Sequence, residues 1–231
     1  MLEIKKLVKK YPPFSLEIEH LKVKNGKITA LVGENGAGKT TLLRCIANLI
    51  SNYQGEILIE GKKFTGKEKD TVNKISFMSE ESFYINDFNS NEHFQIARKM
   101  SRYWDPEICD NLIQKLCLDI KKPIKELSRG NKIKLGIILA LSRLPRFVIM
   151  DEPTTSLDPI MHQIIIEEIN YWNKNSTTFL ISSHSLDDIK TLADEIIIIK
   201  NGKITDHVNA KSENLNNNIR DYVLSSLKKN K

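Results

Sequence analysis

The segment Gly33-Glu34-Asn35-Gly36-Ala37-Gly38-Lys39-Thr40 sits between an apolar run, Ile28 to Val32, and a breaker-free stretch of helical spacing, Thr41 to Ile50. It fits the pattern G-x-x-x-x-G-K-[ST], and few folds accommodate that order of strand, glycine-rich turn and helix. The glycines let the backbone curl until its N–H groups converge, and the helix that follows adds the partial positive charge of its N-terminus. Such a turn holds phosphate. In it Lys39 reaches the terminal phosphates, and the Thr40 hydroxyl is placed to coordinate Mg2+.

A second stretch answers to the first. Phe147-Val148-Ile149-Met150 runs directly into Asp151-Glu152 and stops at Pro153. A buried strand that ends in two carboxylates is costly unless positive charge meets them. Beside a phosphate-binding turn, Asp151 suits a Mg2+ holder acting through water, and Glu152 suits a base that orients or activates water next to the last phosphate.

The rest of the chain organises around these two stretches. Residues 2–11 and 15–24 read as short strands, and Asn25-Gly26 after them is a hairpin signal. Residues 55–64 read as a further hairpin arm. From about 81 to 144 the spacing is mainly helical, with Asp105-Pro106 as a helix start. Beyond 147, strands and helices alternate, which argues a parallel sheet. The predicted fold is α/β: a P-loop NTPase core with a mainly parallel sheet, an N-terminal antiparallel β portion and an inserted α-helical subdomain. Residues 1–207 form one domain, and 208–231 a polar tail with a loosely packed helix.

Composition narrows the class. The chain has 231 residues and a net charge of +6, with basic and acidic residues interspersed, so no nucleic-acid partner is expected. Three cysteines without metal-ligand spacing read as free thiols in a reducing compartment. The N-terminus lacks the apolar region of a signal peptide, and no run is long enough to span a membrane. A cytoplasmic protein is expected, reaching a membrane only through a partner.

Taken in order, "GENGAGKTT", "LSRGN" (Leu127 to Asn131), "FVIMDEP", "TTSLDP" (Thr154 to Pro159) and "ISSHS" around His184 resemble the ATP-binding subunit of ABC transporters, from about residue 1 to 207. The resemblance implies an ATPase that binds ATP and Mg2+ and works as a homodimer, or as a heterodimer with a second ATP-binding subunit. It would drive a separate integral membrane permease from the inner face of the cell membrane. ATP held by Gly33, Asn35, Gly36, Ala37, Gly38, Lys39, Thr40 and Thr41 of one subunit would be capped by Ser128 and Gly130 of the other. Ser128 is a good N-cap for the apolar helix after it, which agrees with that use. By resemblance His184 contacts the γ-phosphate, Asp158 couples the two sites, and Tyr11 stacks on adenine, although Tyr11 before Pro12-Pro13 also suits a packed turn.

Two positions depart from the family pattern. Glu80 stands where a glutamine usually serves the metal, with Glu81 the neighbouring choice. Arg129-Gly130-Asn131 replaces the commoner Gly-Gly-Gln, in a form similar to that of subunits serving ABC-2 type exporters. Export follows as an expectation. The aromatics Phe77, Phe83, Tyr84, Phe88 and Phe94 fit either a groove for a helix of the membrane subunit or the core of the helical insertion. The rival reading from another class is a soluble ABC-type ATPase acting on nucleic acid or ribosomes. A nucleotide-gated regulator with little turnover is a third.

Overall fold

The computed structural model describes residues 1–79, 84–212 and 218–228. Two sheets share the chain. β1 (Leu2–Tyr11), β2 (Phe14–Val23), β4 (Gln54–Ile59) and β5 (Lys62–Lys63) form an antiparallel sheet in the order β2-β1-β4-β5. In β1 the buried apolar positions are Leu2, Ile4 and Leu7, out of step with a period of two. A bulge between Lys5 and Val8, with Lys6 at φ 49°, resets the strand so that Leu7 also faces inward.

The second sheet runs β10 (Lys203–Asn209), β9 (Glu195–Lys200), β3 (Ile28–Val32), β8 (Thr178–Ser182), β7 (Phe147–Asp151) and β6 (Ile75–Ser79), parallel except for the edge strand β10. β3, β7 and β8 are buried at every residue. Strands this apolar need cover on both faces, and crossover connections supply it. On one side lie α1 (Lys39–Ile46) and the antiparallel sheet, packed on Leu31, Ile149, Leu180 and Ile197. On the other lie α4 (Pro106–Lys115), α5 (Arg129–Leu141) and α6 (Pro159–Lys174), packed on Val148, Met150 and Phe179.

Asn25-Gly26 does not close a hairpin. β2 and β3 belong to different sheets, and the turn carries the chain across between them. The continuous apolar character of β3 decides this: it pairs in parallel with β8 and β9, whereas a hairpin arm would leave one face to solvent.

The helical insertion holds α3 (Ser90–Met100), α4 and α5, after a short α2 (Lys69–Lys74) that precedes β6. The α3 start is a capping box between Asn89 and Glu92, and Asp105 caps α4 ahead of Pro106. α7 (Leu186–Leu192) follows β8. The C-terminal helix α8 (Ile219–Lys228) is not loose: Ile219 and Val223 are buried against β9 and α7, closing a third core with Ile196, Ile198 and Ile189.

Candidate functional site

The site lies at the C-terminal ends of β3, β7 and β8. β3 stops at Val32, and the turn that follows passes so close to β9 that a Cβ on Gly33 would lie 2.4 Å from the Ile199 carbonyl oxygen. Gly38, at φ 105°, then caps α1 in a conformation that only glycine adopts readily. Lys39 is buried, and its Nζ donates to the Gly33 and Glu34 carbonyls at 2.8 and 3.3 Å, which keeps the ammonium inside the turn. Ala37 is buried, Asn35 and Gly36 face solvent, and Thr40 and Thr41 follow Lys39 in the first turn of the helix.

Register brings the carboxylates to this turn. Asp151 pairs with Ser182 on one side and Ser79 on the other, so three oxygen-bearing residues end adjacent strands at one level. Asp151 is 8% exposed; Oδ2 accepts from Thr40 Oγ1 at 2.7 Å and Oδ1 from Ser182 Oγ at 2.5 Å. Glu152 follows at φ 55°, a left-handed conformation that costs a non-glycine residue about 1–2 kcal/mol. Its N–H donates to Ser182 Oγ at 3.0 Å, and its Oε2 lies 2.7 Å from His184 Nδ1 and accepts from Thr155 Oγ1 at 3.3 Å. The strained turn therefore aims Glu152 sideways at the exposed His184 rather than along the strand.

Among the described residues no group of three or more His, Cys, Asp or Glu could hold a metal. Thr40 and Asp151 offer one hydroxyl and one carboxylate side by side. That fits magnesium, which keeps several waters and takes further oxygens from substrate phosphates. Glu80 and Glu81 lie outside the described residues.

Four of the expected residues, Ser128, Gly130, Asp158 and Tyr11, lie apart from this cluster. Ser128 caps α5, its Oγ accepting from the Asn131 N–H at 3.3 Å, and Gly130 lies against Ser156 and Leu157. Asp158 caps α6, accepting from the Ile160 and Met161 N–H groups at 3.1 and 3.0 Å. Ser128 and Asp158 are exposed. Tyr11, 44% exposed, ends β1 opposite Phe14, whose ring reaches the phosphate turn: a Cβ on Gly38 would lie 2.9 Å from Phe14 Cζ. Beneath Tyr11, the buried Lys9 places Nζ 4.6 Å from the ring centroid and donates to Asn52 O and Oδ1 at 3.1 and 2.7 Å.

Sequence reasoning missed Lys9, Phe14, Thr155 and Ser182. For Ser182 the signal was its place at the end of an apolar run. For Lys9 and Phe14 it was only their nearness to Tyr11.

The expected aromatics divide. Phe94 is core, packed with Trp104. Phe88 meets the His93 ring edge-on. Phe77 and Tyr84 line a groove of about 670 Å3, with Ile96, Leu139 and Met100, the last 79% exposed. Phe83 lies outside the described residues. A hollow of about 720 Å3 lies at the opposite ends of the strands, by Met1, Phe147 and Thr178, away from the Thr40–Asp151 cluster.

Residues 16–155 match the family model described as ABC transporter. The lantibiotic transport ATP-binding protein SrtF of Streptococcus pyogenes is 34% identical over 207 residues, covering 88% of this chain and 89% of that protein. The bacitracin transport ATP-binding protein BcrA of Bacillus licheniformis is 34% identical over 197 residues, covering 83% of this chain and 64% of its own length. A solved ATP-binding subunit of an ABC transporter shares the fold with a TM-score of 0.86 at 24% identity, over 99% of this chain and 100% of that one.

Proposed function

The chain belongs to the ATP-binding subunits of ABC transporters, and from that premise we propose that its hydrolysis of ATP drives a separate membrane subunit to expel a lantibiotic- or bacitracin-like compound. That it is an ATPase with the cassette fold follows from the family. The observation that supports the assignment of roles is the cluster of Thr40, Asp151, Glu152 and His184 around the turn that Lys39 closes.

In this reading the amides of residues 33–41 and the Lys39 ammonium cradle the phosphates of ATP. Thr40 and Asp151 would hold Mg2+, which would neutralise charge on the terminal phosphates. Glu152 takes a proton from the attacking water, a contribution of about 10²–10⁴ in rate. His184 orients Glu152 and reaches the γ-phosphate. Ser128 and Gly130 of a second subunit cap the nucleotide with the α5 N-terminus. Asp158 couples the two sites, and Tyr11 stacks on the base.

Subunits of this family dimerise and work with membrane proteins. No described helix is long and apolar enough to cross a membrane. We assign the groove between Phe77 and Met100 to a helix of the membrane subunit, because its apolar lining lies open beside the insertion. The chain would then sit on the inner face of the cell membrane. Export is supported by the two relatives named for lantibiotic and bacitracin transport.

The test uses Glu152→Gln. The variant is expected to bind ATP as the parent does, to lose turnover by at least ~100-fold, and to co-purify from detergent with a polytopic membrane protein when ATP and Mg2+ are present. Parental turnover would remove Glu152 from its role. Recovery of ribosomes or DNA-bound proteins in place of a membrane protein would overturn the transport reading.

A further inference from the structure

Thr154 lies two residues beyond Glu152, Asp188 four beyond His184, and His162 four beyond Asp158. The fold brings these three side chains together. Thr154 Oγ1 donates to Asp188 Oδ2 at 2.6 Å, and His162 Nε2 lies 2.8 Å from Asp188 Oδ1. Asp188 is 4% exposed, and Ser185 caps the helix start that carries it by accepting from its N–H.

Thr154 and Asp188 border a pocket that is mainly apolar, lined by Ile28, Ala30, Ile181, Ile189 and Leu192 with Ser183 beside them. Apolar packing would fill that space without desolvating a carboxylate, so stability alone does not call for the polar cluster. Its direction is informative. Each of the three residues is fastened to a segment that carries one group of the proposed site: the turn after β7, the start of α6, and the start of α7. Glu152 stands on a strained backbone, and its carboxylate is held by His184 and Thr155 within those segments.

We propose that Asp188 is a positioning residue for hydrolysis. It binds the 152–158 turn to α7 so that Glu152 meets His184, and through His162 it links that pair to Asp158 at the dimer face. The proposal rests on the reading of Glu152 and His184 given above.

Steady-state hydrolysis by the full chain tests it, with ATP binding and thermal unfolding measured alongside. In Asp188→Ala, kcat is expected to fall about 100-fold with KM for ATP within about 3-fold, the pattern of a misplaced reacting group. Asp188→Asn is expected to restore most of the turnover, because an amide oxygen accepts from Thr154 and its NH2 donates to the other histidine tautomer. Thr154→Val removes one hydroxyl from a half-buried position and is expected to lower kcat about 10-fold; it carries the test if Asp188→Ala does not fold. Unchanged kcat in Asp188→Ala or Thr154→Val overturns the proposal. So does an equal loss of ATP binding and turnover that Asn does not rescue. Glu152→Gln measured in parallel separates the two levels: parental turnover there overturns the site reading itself, whereas an inactive Glu152→Gln beside active network variants overturns only the role of Asp188.

Discussion

Removing the Thr40 hydroxyl while keeping the shape of the side chain separates its structural task from its chemical one. In Thr40→Val, Asp151 Oδ2 loses its donor at 2.7 Å, and Oδ1 keeps the Ser182 hydroxyl. Asp151 is 8% exposed, so little water replaces the lost bond. A hydrogen bond to a charged acceptor contributes roughly 1.5–3 kcal/mol. At this chain length a loss of about 2 kcal/mol lowers the unfolding midpoint by roughly 4–8 °C. Ser182→Ala should cost at least as much, because its Oγ also accepts from the Glu152 N–H at 3.0 Å. The two variants part when nucleotide is added. Saturation at 100 Kd stabilises the parent by about 2.7 kcal/mol, and the magnesium-dependent share of that gain requires Thr40. Thermal unfolding in EDTA, in ATP with EDTA, and in ATP with Mg2+ resolves the shares. Thr40→Val should lose both the basal stability and the magnesium increment, Ser182→Ala only the basal part, and Thr40→Ser neither. A full magnesium increment in Thr40→Val would refute the placement of the ion, and an unchanged midpoint in EDTA would refute the bond to Asp151.

Cys45 and Cys109 are buried, and burial pushes each thiol up from 9.0 to about 11, so their thiolate fraction at neutral pH falls about a hundredfold. Titration with a thiol reagent should therefore label the exposed Cys117 first, with Cys45 and Cys109 reacting only in denaturant, and rapid labelling of a second thiol would contradict their burial. Gly38→Ala puts a Cβ into positive φ and against Phe14 and Leu16; ATP affinity should fall at least ~10-fold, a difference of about 1.4 kcal/mol, for a strain of about 1–3 kcal/mol. Lys9→Met keeps the buried stem but removes the ammonium under Tyr11 and its bonds to Asn52; KM for ATP should rise about 5-fold with kcat unchanged, for a contact of about 1 kcal/mol. An unchanged KM would leave Tyr11 independent of Lys9.

What could be read from the sequence was whatever is encoded within a few consecutive residues. The turn at 33–40 is legible because glycine, lysine and threonine act there as near neighbours, and the strand ending in Asp151-Glu152 announces itself by an abrupt change from apolar to charged. Ser182 was not legible: its bond to Asp151 depends on the β7–β8 register, which joins residues 31 positions apart. Asn25-Gly26 misled because a strong local signal competed with a non-local demand, the need of β3 for neighbours on both edges. The tail misled in the opposite sense. Its polar composition hides Ile219 and Val223, spaced four apart on one helix face, which suffice to dock it.

The helix starts carry one further signal, visible in the sequence once the boundaries are known. A helix N-terminus is ordinarily answered by negative charge. α3 supplies Glu92, α4 Glu107, and α7 Asp187 and Asp188 in their first turns, and α6 has Asp158 at its cap. α1 and α5 supply none; their caps are glycine and serine, and each begins with a base, Lys39 and Arg129. Neither first turn brings an acidic residue of its own, and the carboxylate that reaches α1, Asp151 on Thr40, belongs to the phosphate site itself, which suits an anion that arrives from outside. These are the two helices whose N-termini the proposed cycle turns toward phosphate, α1 in one subunit and α5 in its partner. On this view closure of the dimer is favoured by a phosphate shared between the two helix starts, and loss of the γ-phosphate removes the charge that joins them. An added acid tests it: Asn131→Asp in the first turn of α5 should stabilise the free chain by about 0.3–1 kcal/mol while weakening ATP-dependent dimerisation of the Glu152→Gln form, as read by size-exclusion chromatography. Undiminished dimerisation in that background would show that the α5 terminus does not face the phosphate.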